Sequence, residues 1–267
     1  MTAQSVAIGP SAARRTRGGM FLGFGTVFRK EVTEWFRGPK ALIVAGVSVV
    51  GAVFMTLIPF IAKASKEAED AGLFSMDPTA NVLLGWTGQT VVLIAVVATM
   101  ALLSSERDRG TLAWSLTNPV SPTSIIAAKF LASMLVFTLT AVILPMAVSI
   151  GLATVVYGGL PDLQVVGTFT LLFLTLPAFY LALTVGLGTA IKSTAGVAGV
   201  AFGVMFIPQI LGGLLPIIND ISPTSIGTWA MAVAKGGPAS PLTLIGWVVS
   251  MVVIVAGAKL VFDRQEL

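Results

Sequence analysis

The sequence predicts an all-α membrane protein with six transmembrane helices, and three observations predict it. Six long apolar stretches, at about 41–62, 82–103, 130–156, 165–191, 197–218 and 241–258, contain no Asp, Glu, Lys, Arg or His. A helix rises about 1.5 Å per residue, so about 20 residues cross a hydrocarbon layer of about 30 Å, and each stretch reaches or nears that length. Lipid offers no water to solvate loose backbone groups, which makes helices of such stretches. Composition agrees: 55% of residues are hydrophobic, 10% are charged, and the mean hydropathy is +0.94. The third observation is where the cations sit.

With the N-terminus on the cytoplasmic side, 13 of the 16 Lys and Arg residues face inward, and only Lys63, Lys66 and Lys235 face outward. Asp and Glu divide evenly, leaving +7 inside and −3 outside, which together make the chain's +4. This bias places both termini in the cytoplasm and the protein in the cell membrane. The basic excess then faces anionic lipid, and a nucleic-acid partner is not expected.

The first 20 residues, with Gly9-Pro10-Ser11 and then Arg14, Arg15 and Arg17, read as a disordered cytoplasmic tail. Residues 21–40 read as an amphipathic elbow helix. Phe21, Phe24, Phe28, Val32 and Trp35 fall on one helical face, with Thr26, Lys30, Thr33 and Arg37 opposite. Gly38-Pro39 ends it before the first span. Aromatic groups on one side and cations on the other describe a helix lying in the membrane interface, its aromatic face in lipid. Ala62-Lys63-Ala64 resembles a signal-peptidase site, but the preceding apolar run is too long and some 40 residues come before it. The polar loop from Lys63 to Asn81 is expected to extend the first span outside the membrane.

Within the spans only mild polarity remains. Gln89, Thr90 and Thr99 lie in the second, Thr168, Thr170, Thr175, Tyr180 and Thr184 in the fourth, and Gln209 follows Pro208 in the fifth. Such groups line a translocation path or bond to their own backbone; Gln89 and Gln209 are the pathway candidates. Pro145, Pro177 and Pro208 predict kinks. Gly199 and Gly203, with Gly196 one turn earlier, form a small-residue stripe expected to pack inside the chain, with a subunit seam as the other use. The segment from Asn219 to Ser240 reads as short helices dipping into the outer leaflet.

The second and third spans are joined on the cytoplasmic side by Ser104-Ser-Glu-Arg-Asp-Arg-Gly110-Thr-Leu-Ala-Trp114-Ser-Leu-Thr-Asn-Pro119-Val-Ser-Pro122. A charged cluster and a glycine precede Leu112, Trp114 and Leu116, enough for about two helical turns before Asn118-Pro119. Exposed Trp and Leu need a cover, either bilayer or a partner's groove. Glu106-Arg107-Asp108-x-Gly110-Thr111-Leu112, then Leu116-x-x-Pro119-Val120-Ser121 and Lys129, resembles the E-R-E-x-G-T-L…L-x-x-P-V-S…K signature of ABC type-2 permeases, the membrane subunits of ATP-binding-cassette exporters. Arg29-Lys30-Glu31 and Arg37-x-Pro39-Lys40 are similar to that family's elbow.

The resemblance implies that the loop helix is a coupling helix seated in an ATPase subunit. Glu106, Arg107 and Asp108 would anchor the loop, with Gly110, Thr111, Leu112, Trp114 and Leu116 in the docking piece; Ala113 departs from the pattern, which commonly has Glu there. It also implies a half-permease that pairs with a second copy or a sister permease. ATP and Mg would be bound on the ATPase, because the chain has no G-x-x-x-x-G-K-[ST] phosphate loop.

With neither His nor Cys, the chain lacks imidazole and thiolate ligands, Ser-His and Cys-His pairs, and disulfides. No Asp lies in a span either, so an intramembrane enzyme is not expected. A secondary carrier or channel acting without an ATPase is the alternative reading, disfavoured because such carriers usually keep ionisable groups in their spans.

Overall fold

The computed structural model describes residues 22–62, 77–86, 90–102, 104 and 121–265, and the structural statements below concern these. They are mostly helical, with no strand among them. Helix α1 covers Phe24–Arg37, α2 Lys40–Ala62, α3 Pro78–Trp86, α4 Thr90–Thr99, α5 Pro122–Phe137 and α6 Leu144–Tyr157. Helix α7 covers Leu163–Phe173, α8 Thr175–Ala190, α9 Thr194–Leu214, α10 Pro216–Ile221, α11 Ile226–Ala234 and α12 Pro241–Gln265.

Five helical stretches are long and apolar enough to cross a membrane: Lys40–Ile61, Thr123–Tyr157, Leu163–Ala190, Thr194–Leu214 and Pro241–Val261. The second expected span is described as two apolar pieces, α3 and α4, on either side of residues 87–89, which lie outside the described residues. The third stretch starts earlier than the charge-free run. Ser121 caps α5 by accepting from the Ser124 N–H, and Pro122 takes the first helical position, where its missing N–H costs nothing. Lys129 therefore lies two turns inside the helix.

The stretch Leu163–Ala190 is the hub, with 67% of its apolar window buried, against 6% for Pro241–Val261. Helix α8 packs against α4, α5, α9 and α12. Aromatic rings pack where α7 meets α3: Phe169 and Phe173 lie 5.2 Å apart, and Trp86 meets Phe173 edge-on at 5.8 Å.

The prolines explain the irregular turns. Pro145 offers no N–H to the preceding turn, and the chain answers with a π-turn over Thr138–Ile143, closed by Leu144 N–H donating to the Leu139 carbonyl. Leu174 breaks the fourth span so that Pro177 falls in the first turn of α8, where no intrahelical donor is required. Pro208 stays within α9 and Pro59 within α2. Beside Pro59, the Tyr157 hydroxyl donates to the Thr56 carbonyl at 2.8 Å.

The segment after α9 forms the expected short helices: α10, a 3-10 turn at Pro223–Ser225, and α11. They are fastened to the spans. Asn219 Nδ2 donates to the Gly212 carbonyl of α9, and Thr243 Oγ1 of α12 donates to the Asp220 carbonyl. A Cβ at Gly246 would sit inside contact distance of the Ile221 carbonyl oxygen, so α10 and α12 can touch only because residue 246 has no side chain.

The glycine stripe is a correction. An added Cβ at Gly199 meets nothing within 4 Å, and one at Gly203 meets only Ile207 of its own helix, at 3.7 Å. Gly196 abuts Ile191, in the turn leading into α9. The pair Gly199 and Gly203 does not pack inside the chain, because α9 turns that face away from the bundle.

These two glycine environments give opposite expectations for the same substitution. Gly246→Ala lowers the thermal midpoint in detergent, since the clash is with backbone and costs about 1–3 kcal/mol. Gly199→Ala leaves the monomer's midpoint unchanged or raises it, because Ala in an open helix position gains about 0.5–1 kcal/mol. Equal effects of the two would contradict the packing described.

Candidate functional site

The candidate site is at the end of the bundle that carries α1, where residues 105–120 leave the second span and return to the third. The residues expected to couple to a partner, Glu106, Arg107, Asp108, Gly110, Thr111, Leu112, Trp114 and Leu116, lie outside the described residues. So do residues 1–20, Phe21, residues 63–76 of the polar loop, and Gln89. Both mouths of the 105–120 segment are described, and each is fastened.

At the first mouth, Ser104 is fully buried; its hydroxyl donates to the Met100 carbonyl at 2.9 Å and lies 3.1 Å from Thr194 Oγ1, in the first turn of α9. At the second, Ser121 N–H donates to the Leu22 carbonyl just before α1, at 3.2 Å. The segment is thus tethered to the fifth span where it begins and to the elbow where it ends.

Helix α1 departs from the interfacial expectation in how it is used. Its apolar side is turned onto α5, its main neighbour, and touches α2 as well. Trp35 is 2% exposed, Phe24 and Phe28 are half-buried, and their rings stack with centroids 5.7 Å apart. Trp35 therefore seats on the protein, while Phe24 and Phe28 stay partly exposed beside it. Arg29, Lys30 and Arg37 stay exposed and, with Gly25, Thr26 and Thr33, line an open groove of about 500 Å³.

Within this apolar seat lies a full ion pair. Glu31 and Lys129 are each 2% exposed, and Lys129 Nζ donates to Glu31 Oε1 at 2.8 Å across 98 residues of sequence. Lys30 Nζ is 3.7 Å from the same oxygen and 3.3 Å from Glu34 Oε1, one helical turn on. Lys40, which opens α2, places its ammonium 4.1 Å above the Trp35 ring, a cation–π contact, and lies within electrostatic reach of Glu31, Glu34 and Lys129. Elbow, first span and third span meet in one cluster.

Sequence reasoning named Glu31 and Lys129 separately and missed that they pair. The signal was available in α1. Phe24, Phe28, Glu31 and Trp35 follow 4-3-4 spacing, so Glu31 rides on the aromatic stripe better than Val32 does. A carboxylate on a buried face requires a cation, and Lys129 is the one inside the third-span helix.

The mild polar groups are mostly satisfied by their own helices. Gln209 Nε2 donates to the Met205 carbonyl at 2.7 Å, from an exposed position on α9. Thr170 and Thr175 bond back to Val166 and Leu172. Thr99 and Thr184 bond back likewise and also meet each other across α4 and α8 at 2.9 Å. Among the described residues no group of three or more Asp or Glu side chains could hold a metal.

The buried pair makes a clear stability prediction. Glu31→Leu alone takes from the buried Lys129 ammonium its carboxylate in α1 and lowers stability by up to about 3–5 kcal/mol, whereas E31L/K129M removes both members of the pair and recovers part of that loss. Thermal unfolding in detergent checks it. A double variant no more stable than the single one would contradict the pairing.

The family model described as ABC-2 family transporter protein matches residues 25–267, from the second residue of α1 to the C-terminus. No curated protein matches the chain. The matched region takes in the elbow cluster, the loop whose two mouths are fastened, and the apolar helices. The chain belongs to the ABC-2 family of transporter proteins and is a multi-pass membrane permease of that family.

Proposed function

We propose that this chain is the permease subunit of an ATP-binding-cassette exporter, forming half of a translocation pathway and driven by a separate ATPase. The cytoplasmic side is the α1 end, where the cations of α1 and of residues 105–120 concentrate. The expected span at about 82–103 makes the sixth, and both termini are cytoplasmic.

The observation that carries the reading is the fastening of both mouths of the 105–120 segment. A loop that only linked two spans would need no tie to the elbow or to the fifth span. Here a displacement of the loop reaches α9 through Ser104 and Thr194, and α1 through Ser121 and Leu22. That is the construction required of a handle.

In this reading Thr111 to Leu116 dock in the ATPase, with Leu112, Trp114 and Leu116 as apolar anchors and Glu106, Arg107 and Asp108 setting the loop's orientation. ATP and Mg belong to the partner. The open Gly199 and Gly203 face of α9 is free to meet a second copy or a sister permease. Gln89 and Gln209 remain pathway candidates for an amphipathic cargo.

Purification in mild detergent recovers an ATPase with the intact chain, and deletion of residues 111–116 abolishes its retention while the chain still inserts in the membrane. Trp114→Ala weakens retention by about tenfold or more, as truncation of a central aromatic anchor does. Unchanged retention by the deletion variant would overturn the docking assignment. Uphill transport by the chain alone would overturn the ATP-driven reading.

A further inference from the structure

Helix α1 is buried on one side and charged on the other. Glu31 and Trp35, on the buried side, are each 2% exposed. Gly25, Thr26, Arg29, Lys30, Thr33 and Arg37 line the open groove of about 500 Å³. At about 100° per residue these six fall within a sector of about 140°, on the side opposite Glu31 and Trp35.

Small residues separate long cations in this groove. A Cβ added at Gly25 would meet nothing within 4 Å, and the Thr33 hydroxyl turns back to the Arg29 carbonyl at 2.7 Å. Lys30 is held by Glu34 and Glu31. Arg29 and Arg37 are exposed, and neither pairs with a carboxylate among the described residues. They lie eight residues apart, about 12 Å along the axis, so both guanidinium groups can turn to one anion between them.

The course of α1 says what carries that anion. Ser121 N–H donates to the Leu22 carbonyl and Lys129 to Glu31, so α1 runs parallel to the head of α5, toward the membrane. Phe36, next to Arg37, is 58% exposed, and the first span opens with Leu42 and Ile43 exposed as well. Bare apolar side chains beside unpaired cations suit a ligand of both characters, with acyl chains for the former and a phosphate for the latter. A soluble phosphate compound would leave Phe36 uncovered.

We propose that the Arg29–Arg37 face of α1 binds the phosphodiester of an anionic phospholipid, whose acyl chains lie along Phe36 and the start of the first span. The bilayer then holds α1 by its cationic side, opposite the buried Trp35. The site needs no ATPase and requires only that the α1 end of the bundle meet a membrane surface.

The full chain is placed in nanodiscs of equimolar phosphatidylglycerol and phosphatidylcholine and re-extracted in mild detergent, and its retained lipids are counted by native mass spectrometry. The unaltered chain keeps phosphatidylglycerol in preference to phosphatidylcholine. R29Q/R37Q lowers phosphatidylglycerol retention by about tenfold or more, with an unchanged thermal midpoint because both side chains are exposed. R29K/R37K, which keeps the charge without the fork, retains more than R29Q/R37Q. K192Q/K259Q removes two exposed cations elsewhere, after α8 and near the end of α12, and retains as much as the unaltered chain.

Equal losses in R29Q/R37Q and K192Q/K259Q would reduce the site to diffuse surface charge. Displacement of the lipid by excess inorganic phosphate, beyond what sodium chloride of matched ionic strength achieves, would assign the face to soluble phosphate. Loss of a co-purifying ATPase from R29Q/R37Q with phosphatidylglycerol still retained would assign it to a protein surface. Each of these, like unchanged retention in R29Q/R37Q, overturns the lipid site and leaves the permease assignment standing.

Discussion

A carboxylate and an ammonium sharing one dry site is the constraint around which this end of the molecule is organised. Neither Glu31 nor Lys129 can be buried alone, since an unpaired charge in apolar surroundings costs several kcal/mol. Their contact forces α1 against α5 and fixes the axial position of one on the other. It also explains why Trp35, on the same face of α1, is buried against protein. Trp35 lies next to the Phe24–Phe28 stack, and Lys40 of the first span sits over its ring.

Elsewhere the bundle obeys a rule of the same kind for neutral groups. With no water available, hydroxyls and amides in the spans turn to nearby carbonyls, as Thr140, Thr154, Thr170 and Gln209 do one turn back along their own helices. Prolines are admitted where the helix can absorb a lost donor, by a π-turn before Pro145 or by a break before Pro177. The irregular turns therefore lie in the third and fourth spans, whose helices form much of the buried core. Helix α10 is held by side chain-to-carbonyl bonds and a glycine contact, which leaves α9, α10 and α12 joined at that end.

Much of this was legible in the residues. Charge-free runs located the five long apolar helices, because a charge is costly in lipid and an apolar run of that length has few other uses. The boundaries were less legible. The third helix begins at Pro122, since Ser121 and Pro122 make a good helix start and since Lys129 is tolerated once Glu31 neutralises it. A rule that ends spans at charges cannot see a charge whose partner is 98 residues away. The same blindness hid the seat of α1: amphipathicity shows that a face must be covered but not by what. Gly199 and Gly203 erred the other way, because a small-residue stripe specifies close approach without naming the neighbour. For the candidate coupling residues, sequence supplied the names and the described structure supplies the fastened mouths on either side.

The account holds that a partner's nucleotide cycle moves residues 105–120 and that α1 moves with them. Hydrogen exchange on the assembled complex, with and without ATP and vanadate, tests this most directly. Protection should change together in residues 105–120, in α1 and in the first turns of α5. A change confined to the loop, with α1 exchanging identically in both states, would contradict it.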